Sequence, residues 1–572
     1  MLEDERSSRR SRHSTMNASI SQLPIIAAQA RNRLTHRQSL LLAIALAVAA
    51  VVASILHARP LLIGALNIYD EGIILTGAAR VMRGELPYRD FWTQYSPGQF
   101  YTLAALFSIT GKSVLAARWW DVVTRALLAV ALYLLAARAT NPMRALPVWP
   151  LAVLWLTYYG FFSYPLFQGL LFSLLCLLVY LRGLESARWM PLAGGLFGMA
   201  FVFRHDMAIY LAATVVLTGA AHAWVRSTRP SDLARQLAPM VIVAALIVLP
   251  VTLYFLVQVR PAELLNQLFL FPLLEFPKVR DLPYPKLTGE VDNLPFYAPF
   301  LIYGLVFVSA LVRLRRLSLS NMPATADAGA RIRALAMLAM AVFGAFGYNQ
   351  ARVRSDLIHT VHFFTLALAL APALFSAGAA GATSAYRRVG GHFVGMLGMT
   401  LMLMLCIDPL DNYVGQMQAQ SNDARYLAAK IKAAPPIAQG IAVEDWQTGL
   451  LTVMKFYAEP EDSVYIGLKR HDRVFANDVM SYFLIDRPAP TRYHEIHPGV
   501  VDTLAVQQEM IADLERTKPR LVFLTDIFDG ASEPNESNKS KGVKVLDEYI
   551  RQHYRVFTIS GPYSVMRRKE AK

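Results

Sequence analysis

Long apolar runs separated by short basic segments dominate residues 40–407 of the chain. A membrane-spanning helix needs about 20 apolar residues, and fewer where neighbouring helices or a cavity support it. The pattern therefore predicts a polytopic α-helical membrane protein with about eleven spans. The predicted spans are 40–57, 114–137, 145–161, 164–181, 190–203, 207–225, 237–257, 296–312, 334–350, 359–377 and 391–407.

A different pattern begins at residue 408. Short apolar runs of strand-like composition alternate with helical stretches, and proline-rich connections separate them. This alternation predicts a soluble α/β domain at the C-terminal end of the chain. Its predicted strands are 464–467, 521–525, 556–559 and 563–566, and its predicted helices are 501–516 and 543–552.

The overall composition agrees with a membrane protein. Of the 572 residues, 55% are hydrophobic and only 17% are charged, which excludes a disordered chain and a typical soluble enzyme. The net charge of +15 is also compatible with nucleic-acid binding. The basic residues, however, are mostly arginines in the gaps between apolar runs, so we interpret them as determinants of membrane orientation. Cys176 and Cys406 both lie in apolar runs and are too few for a disulfide framework.

The basic clusters predict the orientation of the spans. They follow every second span, at 138–144, 182–188, 226–235, 313–333 and 387–388, on the side of the arginine-rich N-terminal tail. The positive-inside rule then places the N-terminus in the cytoplasm and, with an odd number of spans, the C-terminus outside. The short apolar segment 96–111 would reverse this order if it spanned, so we expect an interfacial or re-entrant helix there.

These elements predict three domains and two long outer loops. Residues 1–38 form a cytoplasmic basic tail, residues 39–407 a transmembrane domain, and residues 408–572 an outer α/β domain. Within the transmembrane domain, 58–113 is the first outer loop with interfacial helices. The aromatic and polar loop 258–295 is predicted either to act as a lid or simply to cover the cavity.

Ionisable residues gather at the outer ends of the spans in three places, at 67–72, 204–206 and 352–362. Charge is costly in lipid, so we expect these segments to share one polar cavity. Structural alternatives remain open for each: acids favour helix starts, Arg204 and Asp206 can neutralise each other, and arginines can reach the headgroups. Arg118, Asp121 and Arg125 share one helical stripe, which predicts an intrahelical ion pair.

Four features follow one another at the first outer loop. They are Tyr69-Asp70-Glu71-Gly72, the run Gly84-Glu85-Leu86-Pro87-Tyr88-Arg89-Asp90-Phe91, Tyr95-Ser96-Pro97-Gly98, and Arg118 at the head of the second span. This order resembles the first outer loop of GT-C membrane glycosyltransferases. That class includes bacterial polyprenyl-phosphate-sugar enzymes related to protein O-mannosyltransferases and lipid A aminoarabinose transferases. The resemblance extends to the order of elements along most of the chain, and it implies a GT-C-like fold.

The resemblance also implies roles for individual residues. An acidic residue of the first loop is the catalytic base, which matches Asp70, with Glu71 beside it. Cationic groups at the outer ends of later spans bind the donor phosphate. The candidates for phosphate binding are Arg204, Arg352, Arg354 and His359, and those for other substrate contacts are Tyr69, Tyr88, Tyr95, Asp206 and Arg280. No cofactor is expected to be required. Asp356 and His359 are three residues apart and could share a helical face, so binding of a divalent metal is a second, open alternative.

The expected activity is transfer of a sugar from a polyprenyl-phosphate donor to an extracytoplasmic acceptor, which is a cell-envelope glycan, a lipid or a protein. Nucleotide sugars are cytoplasmic, so an outward-facing enzyme needs a lipid-linked donor. The expected location is a bacterial inner membrane, and no nucleic-acid partner is expected. The main alternative is a transporter or flippase for a lipid-linked or anionic solute, because two short spans break at 204–206. A non-catalytic membrane scaffold is a third interpretation.

Overall fold

The computed structural model describes residues 38, 41–287, 293–319, 328–379, 403 and 406–569. In the transmembrane part, the helices are α1 (Leu41–Ile63), α2 (Asp70–Met82), α3 (Gly98–Thr110), α4 (Val114–Ala139), α5 (Pro142–Ala145), α6 (Val148–Tyr158), α7 (Pro165–Glu185), α8 (Met190–Phe203), α9 (His205–Arg226), α10 (Pro230–Gln258), α11 (Pro261–Leu265), a π-helix (Asn266–Glu275), α12 (Phe276–Arg280), α13 (Leu294–Leu319), α14 (Ala328–Gly347), α15 (Asn349–Val353) and α16 (Leu357–Ala379).

Residues 407–569 form the C-terminal region. Its elements are α17 (Ile407–Asn422), α18 (Ala424–Ala433), α19 (Asp445–Tyr457), β1 (Val464–Leu468), α20 (Met480–Ile485), α21 (Leu504–Thr517), β2 (Leu521–Thr525), α22 (Val545–His553), β3 (Tyr554–Ser560) and β4 (Tyr563–Arg568). The chain divides into two compact units between His57 and Ala58. The described part of the first unit, residues 38 and 41–57, is helical, and the core, the sheet and the site described below belong to the second unit.

Helices are present at ten of the eleven predicted spans, and the count of about eleven stays a prediction. In the described part of the chain, seven helical segments are long and apolar enough to cross a membrane. Three further predicted spans coincide with shorter apolar segments, Val148–Tyr158, Ala187–Phe203 and Phe363–Leu374. The predicted span 391–407 lies almost entirely outside the described residues. Short spans need support from neighbouring helices, so length alone does not fix the count.

The helices of the bundle share one apolar core. In α4, Leu128, Leu132 and Leu135 recur every three or four residues and are fully buried, as one face of a helix requires. The helix α10 behaves differently, because Val241, Leu246 and other large apolar residues along it are exposed. Exposed apolar surface of this extent is typical of a lipid-facing helix.

The short helix expected at 96–111 is α3. Its 13 residues are too few to cross a bilayer. Phe100, Leu103 and Phe107 form a buried stripe that packs with α2 and with strands of the C-terminal region, in one apolar cluster. The first loop is therefore part of the packed protein.

A four-stranded sheet organises the C-terminal region, in the order β1-β2-β4-β3. Strands β1 and β2 are parallel, in register from Val464↔Leu521 to Leu468↔Thr525, and the other pairs are antiparallel. Residues alternate between its faces: Val464 and Phe523 pack towards α2 and α3, whereas Tyr465 and Val522 pack on the opposite side. The predicted strands and helices of this region are confirmed within a few residues.

A close approach of backbones joins the first loop to the C-terminal region. The backbone N–H groups of Val479 and Met480 both donate to the carbonyl oxygen of Ile68 at 2.9 Å. A Cβ atom on Gly72 would lie 2.3 Å from the backbone nitrogen of Met480, so only glycine fits there. This contact brings the C-terminal region to the beginning of α2, where the predicted catalytic acids lie.

Candidate functional site

One cavity of about 840 Å³ opens where the first loop, the ends of several membrane helices and the C-terminal region meet. We call it the cavity. Its polar and aromatic lining residues are Asn67, Tyr69, Asp70, Gln94, Tyr95, Ser96, Tyr159, Tyr164, Arg204, His205, Asp206, Tyr210, Phe276, Arg280, Asn349, Gln350, Arg354, Asp356, His359, Phe475, Glu495, His497, Phe528 and Glu533.

The cavity collects most of the residues that the sequence singled out. Its lining includes Tyr69, Asp70, Tyr95, Arg204, Asp206, Arg280, Arg354 and His359. Glu71, Tyr88 and Arg352 are not part of the lining. The three polar segments predicted to share a cavity, 67–72, 204–206 and 352–362, therefore each contribute residues to it.

Asp70 begins α2 and is oriented by the turn before it. The Asn67 Oδ1 atom accepts hydrogen bonds from the backbone N–H groups of Tyr69 at 3.0 Å and Asp70 at 2.8 Å. The Asn67 Nδ2 atom donates to Asp70 Oδ2 at 3.3 Å. Within the described residues, Asp70 forms no ion pair closer than 4.0 Å. Burial raises the pKa of Asp70, while the positive fields of His359, Arg280 and Arg354 oppose that rise.

Glu71 points away from the cavity and is fully engaged. Arg118 Nε donates to Glu71 Oε1 at 2.7 Å, and Arg118 Nη2 donates to Oε2 at 2.8 Å. The remaining N–H groups of Arg118 donate to the carbonyl oxygens of Leu62, Gly64 and Ala65. Consecutive residues of a helix point about 100° apart, so the side chains of Asp70 and Glu71 lie in different surroundings. Glu71 thus fixes the turn before α2 instead of lining the cavity.

The predicted stripe of Arg118, Asp121 and Arg125 on α4 contains one ion pair. Arg125 Nη2 donates to Asp121 Oδ2 at 2.7 Å, which confirms the predicted intrahelical ion pair. Arg118 does not join this pair, because Glu71 binds it.

Two cavity arginines already have carboxylate partners. Arg204 donates to Asp206 through two nitrogens, at 2.9 and 2.6 Å, so these residues neutralise each other as one interpretation of the sequence expected. Arg354 donates to Glu533 through two nitrogens, at 3.0 and 2.5 Å, and its Nε lies 2.9 Å from Asp356 Oδ2. Such paired contacts hold the guanidinium planes in fixed orientations.

Arg280 is held more loosely than the other cavity arginines. Its Nη1 donates to the carbonyl oxygen of Phe475 at 3.4 Å and lies 3.6 Å from Glu533 Oε2. Its guanidinium also sits 4.9 Å from the ring centre of Phe475. With only these long contacts among the described residues, Arg280 is the cavity cation with the most hydrogen-bonding capacity left for a ligand.

The remaining predicted residues take different positions. His359 faces the cavity, with Nδ1 2.6 Å from Asp356 Oδ1, which orients its ring. Arg352 is exposed, and its Nε donates to Asn349 Oδ1 at 3.0 Å. Tyr88 is fully buried with a φ of 70°, and its hydroxyl donates to the carbonyl oxygen of Tyr95 at 2.8 Å. Tyr88 therefore stabilises the first loop through the backbone of Tyr95 and does not contact the cavity.

A metal site needs a third ligand beside Asp356 and His359. In the part of the chain that the structure describes, no group of three or more His, Cys, Asp or Glu side chains is arranged to hold a metal ion. A salt bridge to Arg354 and a hydrogen bond to His359 already occupy Asp356.

The C-terminal region supplies cavity residues that the sequence did not reveal. They are Phe475, Ala476, Glu495, His497, Phe528 and Glu533. Glu495 and His497 belong to the polar run Arg492-Tyr493-His494-Glu495-Ile496-His497, which is the only local feature that could have drawn attention to them. Nothing in that run indicates that it packs beside residue 70.

Comparisons with known proteins complete the description of the site. No protein-family model matches the chain, and no curated protein matches it. Over most of its length it is similar to the crystal structure of ArnT from Cupriavidus metallidurans bound to undecaprenyl phosphate, with 14% identity, coverage of 92% of this chain and 97% of that chain, and a TM-score of 0.46. For the apo state of that protein, the identity is 13%, the coverage 93% and 98%, and the TM-score 0.47.

The apo crystal structure of the Archaeoglobus fulgidus oligosaccharyltransferase is also similar. Its identity is 11%, its coverage 90% of this chain and 80% of that chain, and its TM-score 0.48. Both proteins are GT-C glycosyltransferases, the class that the first-loop motifs of this chain resemble.

Proposed function

We propose that this protein is an integral membrane glycosyltransferase that moves a sugar from a polyprenyl-phosphate donor to an acceptor outside the cytoplasm. One observation carries the proposal: Asp70, which has no ion pair among the described residues, shares a cavity beside membrane helices with Arg280, Arg354 and His359. The cavity faces the periplasm of a bacterial inner membrane in this proposal, with the N-terminus in the cytoplasm and residues 408–572 outside.

The chemistry requires a base and a site for a leaving phosphate. Asp70 removes the proton from the acceptor nucleophile as that atom bonds to the anomeric carbon of the donor sugar. The bond between the anomeric carbon and the phosphate oxygen breaks, and the polyprenyl phosphate leaves with the bonding electrons. A single displacement of this kind inverts the anomeric centre.

The cations of the cavity stabilise the leaving phosphate. Arg280 has the most free hydrogen-bonding capacity and is the principal phosphate ligand in this proposal. Arg354 and His359 both act electrostatically on Asp70, but Arg354 is already held by Glu533 and Asp356 and mainly contributes orientation. Arg204 bound to Asp206 contributes orientation more than charge. Arg352 has no role in this proposal, because it is exposed, is bonded to Asn349 and does not line the cavity.

Residues 272–280, part of the predicted loop 258–295, line one side of the cavity. Pro272, Leu273, Phe276 and Arg280, which lie on the π-helix and α12, all contribute to the lining. We assign this segment a covering role, since an apolar wall beside a phosphate site excludes water from the transfer.

The decisive experiment compares Asp70→Asn with the wild type in lipid nanodiscs. The donor is undecaprenyl phosphate carrying a radiolabelled hexose, and the acceptor is a cell-envelope extract from the source organism. We expect transfer to fall about 10³-fold, because a positioned base contributes on that order. Binding of undecaprenyl phosphate should persist. Asp232→Asn, at an exposed acid of α10, serves as the matched control.

The results separate the alternatives. If the wild type transfers no sugar, the proposal that this protein is a glycosyltransferase is wrong. If Asp70→Asn keeps full activity, Asp70 is not the catalytic base. The break between α8 and α9 at Arg204, which lines the cavity, keeps a flippase as the second candidate. Movement of a fluorescent polyprenyl-phosphate sugar across proteoliposomes, equal in wild type and Asp70→Asn, would favour it.

A further inference from the structure

Glu495 is a buried carboxyl group with too few partners. Its side chain lines the cavity, although the residue is only 1% exposed. Oε1 accepts one long hydrogen bond from the Tyr69 hydroxyl at 3.4 Å. Oε2 is buried and has no hydrogen-bond partner in the described structure. A buried polar atom beside a cavity is costly unless a ligand completes its hydrogen bonds.

The position of Glu495 is fixed from both sides. Asn477 Nδ2 donates to the carbonyl oxygen of His494 at 2.9 Å, and the Ile496 N–H donates to Asn477 Oδ1 at 2.9 Å. One amide therefore holds the two peptide groups that flank Glu495. The Trp92 N–H also donates to the carbonyl oxygen of Arg492 at 3.0 Å, which joins this segment to the first loop. A ligand group so held is preorganised.

The charged surroundings of Glu495 differ from those of Asp70. The titratable and charged groups that face Glu495 are Tyr69 and Asp70 at the start of α2, Tyr95 in the first loop, Tyr164 before α7, and Arg280 at the end of α12. Burial, with the negative field of Asp70 added, raises the pKa of Glu495 to about 8. His359, Arg280 and Arg354 act electrostatically on Asp70, whereas among the described residues Arg280 is the one basic side chain that acts on Glu495.

Neighbouring acids in unequal environments take different protonation states. At neutral pH Glu495 is therefore a carboxylic acid that donates a hydrogen bond, and Asp70, the base of the proposed function, is the group that accepts one. A sugar with adjacent hydroxyl groups matches this pair, since one hydroxyl needs an acceptor and its neighbour can use a donor. The rings of Tyr69 and Phe475 in the lining suit the apolar face of a sugar.

We propose that Glu495 binds the acceptor, and that the acceptor is a carbohydrate whose attacking hydroxyl lies on Asp70 and whose neighbouring hydroxyl lies on Glu495. This inference rests on the proposed function. The acceptor site is then built jointly by the first loop and the segment 492–497. A neutral acid forms no ion pair, so an ammonium group is a poorer match than a hydroxyl.

The test measures donor and acceptor dependence separately for full-length Glu495→Ala in nanodiscs. The probes are the radiolabelled undecaprenyl-phosphate hexose and the cell-envelope extract. We expect the half-saturating concentration of acceptor extract to rise about tenfold or more, as loss of one buried hydrogen bond predicts. The half-saturating donor concentration should stay within about twofold, and the thermal midpoint should not fall.

Two further variants sharpen the test. Glu495→Gln keeps a neutral donor of nearly the same shape, so it should retain most of the acceptor affinity at pH 7. The wild type should lose acceptor affinity as pH rises above about 8, and Glu495→Gln should not. Glu509→Gln is the matched control, because Glu509 accepts a hydrogen bond from Tyr493 but does not line the cavity. It should leave acceptor dependence unchanged.

The outcomes are distinguishable. Sugar transfer by the wild type, its loss in Asp70→Asn and an unchanged acceptor dependence in Glu495→Ala would overturn this inference alone. If Glu495→Ala instead raises the half-saturating donor concentration, Glu495 contacts the donor and this inference is also overturned. A lowered thermal midpoint with normal acceptor dependence would show a structural role. No transfer by the wild type would overturn the proposed function and this inference together.

Discussion

Asp70 and Glu71 are adjacent in sequence, yet their carboxyl groups lie in two regions that differ in charge pairing. Glu71 lies in a fully paired cluster with Arg118, and Asp70 lies in the cavity. Around Glu71, Arg118 uses all five of its N–H groups on one carboxylate and three backbone carbonyls. Around Asp70, the carboxylate has no ion pair in the described structure, and Arg280 makes only long contacts. Completed hydrogen bonds mark a structural cluster, whereas unused capacity marks a place for a ligand.

The contrast has an energetic basis. A buried charge without compensation is expensive, so a purely structural cluster is selected for complete pairing. A ligand site instead has to leave groups unsatisfied and accept lower stability of the free protein. The cavity contains both kinds: Arg204 is paired with Asp206 by two short hydrogen bonds, while Glu495 Oε2 has no partner in the described structure.

The largest expected effect on stability comes from Glu71→Gln. It removes one partner of a buried ion pair and leaves Arg118 uncompensated, so the free energy of unfolding should fall by about 3–5 kcal/mol. Thermal unfolding in detergent measures the change. Asp70→Asn is the matched neighbour and should keep its thermal midpoint. Equal destabilisation by the two variants would contradict the contrast between the regions.

Arg280→Ala tests the phosphate site. Loss of a charge-assisted contact should raise the half-saturating concentration of the undecaprenyl-phosphate donor about tenfold, with acceptor dependence nearly unchanged. Lys278→Ala is the control, because Lys278 lies on the same short helix but pairs with Glu275 at an exposed position. Equal half-saturating donor concentrations in the two variants would show that Arg280 does not bind the donor phosphate.

The raised pKa of Glu495 predicts a pH-dependent stability. The folded protein holds this proton up to about pH 8, whereas the unfolded chain releases it near pH 4.5. Its contribution is therefore fully favourable below about pH 4.5 and is lost as pH rises towards 8. Glu495→Gln removes that loss, so its thermal midpoint relative to the wild type should increase by about 2 °C or more between pH 5 and 8. A difference in thermal midpoint between the two proteins that does not change with pH would contradict the raised pKa of Glu495.

The smallest expected effect comes from Tyr164→Phe. It removes the hydrogen bond between the hydroxyls of Tyr164 and Tyr95, which are 3.0 Å apart in the cavity wall. The rings still contact each other, so transfer should fall only about threefold, in line with one neutral hydrogen bond. Initial rates at saturating donor measure it. A loss comparable to that of Asp70→Asn would mean that a tyrosine, and not the carboxylate, is central to the chemistry.

Much of the fold is readable from local pattern. The buried stripe of Leu128, Leu132 and Leu135 follows the helical period, and Tyr465 and Val522 alternate with their neighbours as strands require. The turn at Asn67 also has a local cause, because the asparagine side chain accepts hydrogen bonds from the backbone N–H groups of Tyr69 and Asp70 just before α2. The span count was less predictable, since short helices such as α6 depend on their neighbours.

The sequence by itself determined where helices and strands form, and it placed Asp70 at a helix start in a polar loop. Only the tertiary structure decided that Glu71 turns to Arg118, that Arg352 is exposed, and that Glu495 lies beside Tyr69, 426 positions away. The physical reason is range: backbone hydrogen bonds and apolar periodicity act over a few residues. Pairing across the cavity depends instead on how whole elements pack, which no local pattern encodes.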